Sequence, residues 1–334
     1  MSNEKKSQQE VQVLPVQMAR TPLVSNAWSD LDEMAKEWLA YVDVSPNSEL
    51  VYRKSLGYFF QWMIDHHLSD PTRADIIHYR NDLIQQNLSV STINQYIRAV
   101  KSFYQWLDHL GLHQDITEGL KHLKNDYGFK KGYLSFEQCR KVLNTFKDLE
   151  ANEKNLRNQA ILGLLITTGL RTIEVCNADV GDFETRGEMR ILRVKGKGHH
   201  EKGDFVKVPD QTWALIRQYL DVRKEVKSGS PLFAGLDHRF PGRRLTTKSI
   251  RKICKEAFAA AGIDAPNLSA HSLRHTTATL ALKEGANIEQ VQQTLRHASI
   301  ETTMIYVHAI EREKNAAEDL VAQLVFDSKN EDPS

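Results

Sequence analysis

The stretch HSLRHTTATLALKEGANIEQVQQTLRHASIETTMIY, from His271 to Tyr306, decides the reading of this chain. It opens on His271-Ser-Leu-Arg274-His275, runs through a helix-like segment to Arg296-His297, and ends on Tyr306. Chemistry at a phosphodiester needs cations and proton carriers around a nucleophile, and this stretch supplies each. Arg274 offers a planar fork of donors that fits two phosphate oxygens at once. His271 and His297 titrate close enough to neutrality to hold or move a proton. Tyr306 adds a phenol that is able to attack phosphorus and become covalently attached.

Two upstream segments bear on the same chemistry. In Thr168-Gly169-Leu170-Arg171-x-x-Glu174, an apolar helix stops at Gly169 and Arg171 stands at the start of the next one. Glu174 then falls in that helix's first turn, where the dipole favours a carboxylate that would brace the arginine. Gly196-Lys197-Gly198 places a lysine between two glycines at the tip of an expected hairpin.

These residues resemble the signature of the tyrosine recombinase (phage integrase, Xer-like) family. His271-x-x-Arg274, His297 and Tyr306 match its C-terminal motif, the Arg171 segment its first arginine box, and Lys197 its hairpin lysine. The resemblance implies that Arg171 and Arg274 clamp the equatorial oxygens of a pentavalent phosphorus without a metal. Lys197 would protonate the leaving 5′ oxygen, its pKa lowered by desolvation and nearby arginines. His271 would accept the proton of the phenol or touch the phosphate, and His297 would hydrogen-bond the phosphate. Tyr306 would be the nucleophile. Glu174 and His275 are expected beside these six, His275 as a packing residue. A His271–His275 metal pair is disfavoured because Arg274 between them repels a cation, so no metal or cofactor is expected. Arg296 stands where many family members have glycine, and a contact to DNA or to a neighbouring subunit is expected of it.

For the whole chain the resemblance implies a mainly α fold with a small β-sheet, a helical core-binding (SAM-like) domain followed by a mixed α/β catalytic domain. The activity it implies is site-specific cutting and rejoining of double-stranded DNA through a 3′-phosphotyrosyl intermediate and a Holliday junction, without ATP. Partners would be a recombination site, a homo-tetramer assembled on DNA from monomers, and DNA-bending or directionality factors. Two other readings share parts of this pattern: a type IB topoisomerase-like relaxing enzyme, and a catalytically idle DNA-binding regulator. The intact set of six argues against the second.

Bulk composition is that of an ordinary soluble protein, with 334 residues, 41% hydrophobic and 26% charged. The 44 basic and 43 acidic side chains leave a formal net charge of +1, which announces no nucleic-acid partner. Charge is unevenly placed, however. From Glu311 onward seven acidic side chains face three basic ones, so the tail carries −4 and residues 1–310 carry +5. Cys139, Cys176 and Cys254 are odd in number and form no CxxC pair, which predicts reduced thiols. No secretory leader and no apolar run of membrane-spanning length is apparent, so a cytoplasmic protein without membrane contact is expected.

Along the chain, residues 1–25 are polar and read as disordered. Residues 26–112 read as a four-helix domain, with Ser48 opening the second helix and Ser91 capping the fourth. The fourth helix presents Asn94, Gln95, Arg98, Lys101 and Gln105 on its polar face, and Arg98 and Lys101 are candidate DNA-backbone contacts. Residues 113–132 read as a lysine-bearing linker. The catalytic domain is expected over 133–310, with a capping box at Ser135 and Gln138, a hairpin over 189–208 and helices thereafter to Ala309. Residues 311–334 read as a C-terminal helix or tail for exchange between subunits. Thr247, Lys248 and Arg251 lie in the first turns of an apolar-backed helix suited to the major groove. Arg239, Arg243 and Arg244 in the loop before it suit phosphates.

Overall fold

The computed structural model describes residues 28–124, 132–147, 149–196, 201–224, 226–236, 241–264, 266–314 and 317–326. The chain divides into two compact units, 1–127 and 128–334.

In the first unit, α1 (Trp28–Tyr41), α2 (Pro46–Asp65), α3 (Arg73–Gln85) and α4 (Val90–His109) pack around an aromatic core. Trp38 stacks on Tyr52 at 5.6 Å and meets Phe103 edge-on at 5.8 Å. Such large rings bury much area for few residues, which suits a small four-helix unit. Two helix starts lie earlier than the sequence suggests. Ser45 caps α2 by accepting from Ser48 N, with Pro46 in the first turn, and Ser89 caps α4 by accepting from Thr92 N. Ser48 and Ser91 therefore sit inside their helices, because the extended backbone that a cap requires falls at Ser45 and Ser89.

Residues 113–124, part of the expected lysine-bearing linker, belong to this unit. Leu120 is buried, and Ile116 and Leu123 pack on the same core. Asn94, 8% exposed, donates to Leu123 O at 2.8 Å and accepts from Leu123 N at 2.9 Å. Lys101 Nζ donates to Leu120 O at 3.0 Å. Part of the polar face of α4 is thus the seat of a returning segment.

The second unit is built on α6 (Glu153–Thr168), which follows α5 (Phe136–Asn144). Ala160, Ile161, Leu162, Leu164 and Leu165 of α6 are wholly buried, so helices surround it rather than lying on one side. The capping box at Ser135 and Gln138 is formed. After α7 (Thr172–Asn177) come β1 (Phe183–Arg186), β2 (Met189–Val194) and β3 (Asp204–Lys207), an antiparallel sheet in that order. The hairpin expected over 189–208 is β2–β3. Strand β1 was not anticipated, because its four residues Phe-Glu-Thr-Arg are short and half charged. It reaches β2 through a two-residue turn in which Gly187 takes φ +59°. Then follow α8 (Asp210–Val222), α9 (Thr247–Ala260), α10 (Ala270–Lys283), α11 (Ile288–Leu295), α12 (Glu301–Lys314) and α13 (Ala317–Phe326). Helix α12 runs on past Ala309, where the sequence reading ended it.

The three cysteines are free and buried, and burial pushes the Cys139 and Cys176 thiols up to about 11 and Cys254 to about 12. Among the described residues no helix is long and apolar enough to cross a membrane.

Candidate active site

The site begins where α6 ends. Gly169 closes that helix in the left-handed region, φ +61°, which glycine adopts without steric cost. A Cβ there would stand 2.6 Å from Leu295 Cδ2, so the close approach of α11 also requires glycine. The turn delivers Arg171 as the N-cap of α7, and Glu174 closes a capping box beneath it. Glu174 Oε2 accepts from Arg171 N at 2.7 Å, and Oε1 accepts from Arg171 Nη1 at 2.9 Å.

Helix α10 carries Arg274 into the same place. Its side chain is 2% exposed and donates through Nη1 to Gly169 O at 2.6 Å and through Nη2 to Leu295 O. Those carbonyls end α6 and α11, so the guanidinium sits at the negative ends of two helix dipoles. Burial first, then Arg171 and Arg296, bring its pKa down to about 10, which leaves it charged at neutral pH.

Arg296 occupies the left-handed cap of α11, at φ +54°. For a residue with a Cβ that conformation costs about 1–2 kcal/mol. The side chain does not extend outward to DNA or to a neighbour, as the sequence reading expected. It turns inward, 9% exposed, and donates through Nη2 to Glu174 Oε2 at 2.6 Å. Glu174, 1% exposed, is therefore shared by two guanidiniums, and such burial of a charge is tolerable because it is paired.

Tyr306 lies on α12, almost fully buried against Ala278, Val291 and Leu295. Burial raises its pKa, and Arg274 and Arg171 partly counter that rise. Its Oη stands 2.6 Å from Nδ1 of His275. His275, expected as a packing residue, thus holds the phenol, while the exposed His271 packs edge-on against His275 with ring centroids 4.7 Å apart. The ring of His297 lies parallel to that of Tyr306, centroids 6.4 Å apart, and its Nδ1 is 2.9 Å from Thr303 Oγ1. Burial, then Arg274 and Arg171, depress His297 to about 4, so it is neutral at physiological pH. Thr303, fully buried, was not anticipated. Its position three residues before Tyr306 puts both on one helix face, a signal that becomes informative only once Tyr306 is taken as the candidate nucleophile.

Five of the six expected catalytic residues, Arg171, His271, Arg274, His297 and Tyr306, meet at the ends of α6, α10, α11 and α12. Lys197 lies outside the described residues, as does Arg239. The neighbouring Lys202 is tied to Asp179 at 2.7 Å and Asp182 at 2.5 Å. Among the expected DNA contacts, Arg98, Arg243, Lys248 and Arg251 are exposed and Thr247 is half-buried in the first turn of α9. Lys101 is committed to Leu120 O, as described above. Arg244 donates to Cys176 O at 2.8 Å and Ala178 O at 3.0 Å and pairs with Asp179, so it anchors its loop.

The catalytic unit matches the description "Phage integrase family" over residues 132–313, and residues 31–114 match "Phage integrase, N-terminal SAM-like domain". The chain belongs to the phage integrase family. Tyrosine recombinase XerD of Oceanobacillus iheyensis is 30% identical over 272 residues, 79% of this chain and 88% of the relative. Tyrosine recombinase XerC of Corynebacterium glutamicum is 40% identical over 157 residues, about half of each chain (47% and 48%). Among solved structures, the XerH site-specific recombinase in a post-cleavage complex with its palindromic difH substrate is similar, with a TM-score of 0.67 at 21% identity over 87% of this chain and 83% of that one. At that identity the likeness establishes the fold: mostly helical, with a small sheet in the catalytic unit.

Proposed function

We propose that this integrase-family protein is a tyrosine site-specific recombinase that cuts and rejoins duplex DNA through Tyr306. The observation that carries the reading is the phenol of Tyr306, buried and hydrogen-bonded to His275, in one cluster with Arg171, Arg274 and a neutral His297. The named recombinases among its relatives and DNA-bound structural neighbours support it.

In the cleavage step the phenolic oxygen bonds to phosphorus as its proton passes to His275 Nδ1. The bond from phosphorus to the 5′ oxygen breaks, and Lys197 supplies the proton to that oxygen. Arg171 and Arg274 balance the charge gathering on the non-bridging oxygens. Neutral His297 is held through Nδ1 by Thr303, and Nε2 is left to hydrogen-bond the phosphate. The phosphotyrosine link keeps the energy of the broken bond, so a 5′-hydroxyl of a second duplex reseals the strand without ATP. Repetition of this exchange passes through a Holliday junction in a tetramer. Helix α13 supports the assembly: Val321, Leu324, Val325 and Phe326 are all more than half exposed, an apolar surface suited to a neighbouring subunit. Arg98 on the first unit, and Arg243, Lys248 and Arg251 on the second, would contact the duplex.

The test is a nicked suicide duplex, scanned across candidate sites for a covalent protein–DNA adduct. Adduct formation that disappears in Tyr306→Phe is expected, together with strand exchange between two duplexes. Relaxation without exchange would mark a topoisomerase, and specific binding without any adduct an idle regulator.

A further inference from the structure

We infer that Arg296 is a positioning residue for strand cleavage: it takes one oxygen of Glu174, so that this carboxylate does not close into a bidentate pair with Arg171. The inference rests on the recombinase reading above. Guanidinium and carboxylate prefer a fork-on-fork arrangement with two parallel hydrogen bonds. Glu174 does not adopt it here. Its Oε1 takes one guanidinium nitrogen of Arg171, and its Oε2 is filled by the Arg171 backbone N–H and by Arg296 Nη2. Arg171 is therefore held through a single guanidinium nitrogen, and 28% of its side chain stays open to solvent, ready for a phosphate oxygen.

Charge points the same way. Arg171, Arg274 and Arg296 gather around Glu174, and Asp204 also acts on Arg296, so cations outnumber carboxylates in the cluster. Without Arg296 the cluster facing the phosphorane loses one positive charge. Such preorganised charge acts where oxygens become more negative in the transition state.

The two backbone bonds of the cap do not depend on the arginine side chain. Position 296 caps α11 with its own N–H to Gln293 O, and His297 N bonds Gln292 O. Glycine would make both bonds and take the left-handed conformation freely. The side chain's one bond to the backbone, Nη1 to Thr294 O at 2.9 Å, is exposed, where water replaces it, and among the described residues its buried Nε meets no acceptor. Glu174 would keep both Arg171 partners without it, so its loss leaves no orphaned charge.

The experiment compares Arg296→Gly, Arg296→Asn and Arg296→Lys in the full chain. It uses the nicked duplex on which the wild type forms its Tyr306 adduct. Gly and Asn both suit the left-handed cap and are neutral. Each is expected to slow single-turnover adduct formation about tenfold, a fraction of the loss on deleting a direct oxyanion donor. Melting temperature should not fall in the Gly variant, DNA affinity should change less than about threefold, and Lys should restore most of the rate. Wild-type rates in both Gly and Asn would overturn the inference and leave Arg296 as a cap alone. An equal loss in Lys, or losses that merely follow a lower melting temperature, would overturn it as well. If the wild type itself formed no Tyr306-dependent adduct, the recombinase reading would fail first and take this inference with it.

Discussion

Replacing Gly169 by alanine asks how firmly the end of α6 is locked to the arginine cluster. Two costs follow from its surroundings. The left-handed φ of +61° penalises a Cβ by about 1–2 kcal/mol. The added methyl would also lie 2.6 Å from Leu295 Cδ2, with Thr277 Cβ at 3.4 Å, so Leu295 must move within a filled core. Overpacking of that kind costs about 1–3 kcal/mol. Alanine also restricts the unfolded chain, which offsets about 0.4–1 kcal/mol. The net loss is roughly 1–5 kcal/mol, or about 2–20 °C of melting temperature for a unit of this size. Gly187→Ala is the control, because it shares a positive φ of +59° but meets nothing within 4 Å. Its loss should stay near 1 kcal/mol, about the conformational cost alone. Thermal and urea unfolding followed by circular dichroism would measure both. Adduct formation should fall further in Gly169→Ala, since displacing Leu295 moves the carbonyl that holds Arg274. Equal destabilisation by the two substitutions would show that Leu295 yields freely and that the steric argument is wrong.

Other expectations follow from the same cluster. Glu174→Ala strips a buried carboxylate from Arg171 and Arg296 and should cost about 3–5 kcal/mol in unfolding experiments, and near-neutrality would contradict the shared ion pair. His297 is depressed from its ordinary 6.5 to about 4, so the unfolded chain binds its proton more readily. Its contribution, about 3 kcal/mol, is complete above pH about 6.5 and is lost as pH falls toward 4. Subtracting the melting curves of His297→Gln across that window checks the sign. His275→Ala should slow adduct formation by at least about a hundredfold and more than His271→Ala does, since His275 is the histidine on the phenol. The reverse order would return the role of base to His271. In the first unit, Asn94→Ala removes both bonds to Leu123 and should cost about 1–3 kcal/mol. Hydrogen exchange at the Leu123 amide should then accelerate while the core of α4 stays protected.

Much of the site was legible in the sequence because its chemistry demands particular side chains at helix ends. Arg171 after Gly169, and Arg274 three residues past His271, stand where the resemblance to the family's motifs implies, and capping places the first at a helix start. The partners of those side chains could not. A polar residue on a helix face reads alike whether it meets water, DNA or a returning backbone. For that reason Asn94 and Lys101 looked like one surface with Arg98, and Arg244 looked like a phosphate contact rather than a loop anchor. His275 and His271 are one turn apart on the same helix. Only the approach of α12 decides which of them meets Tyr306.

By itself the sequence determined the helical periodicity, the small sheet's hairpin and the family, and it singled out Tyr306 as the candidate nucleophile, because each depends on residue type and local spacing. The tertiary structure alone decided how the charges are shared: Arg274 at two helix C-termini, Glu174 divided between Arg171 and Arg296, and His297 kept neutral. Those outcomes depend on distances between segments up to 122 residues apart and on the exclusion of water around them. Neither quantity is written in the order of the residues.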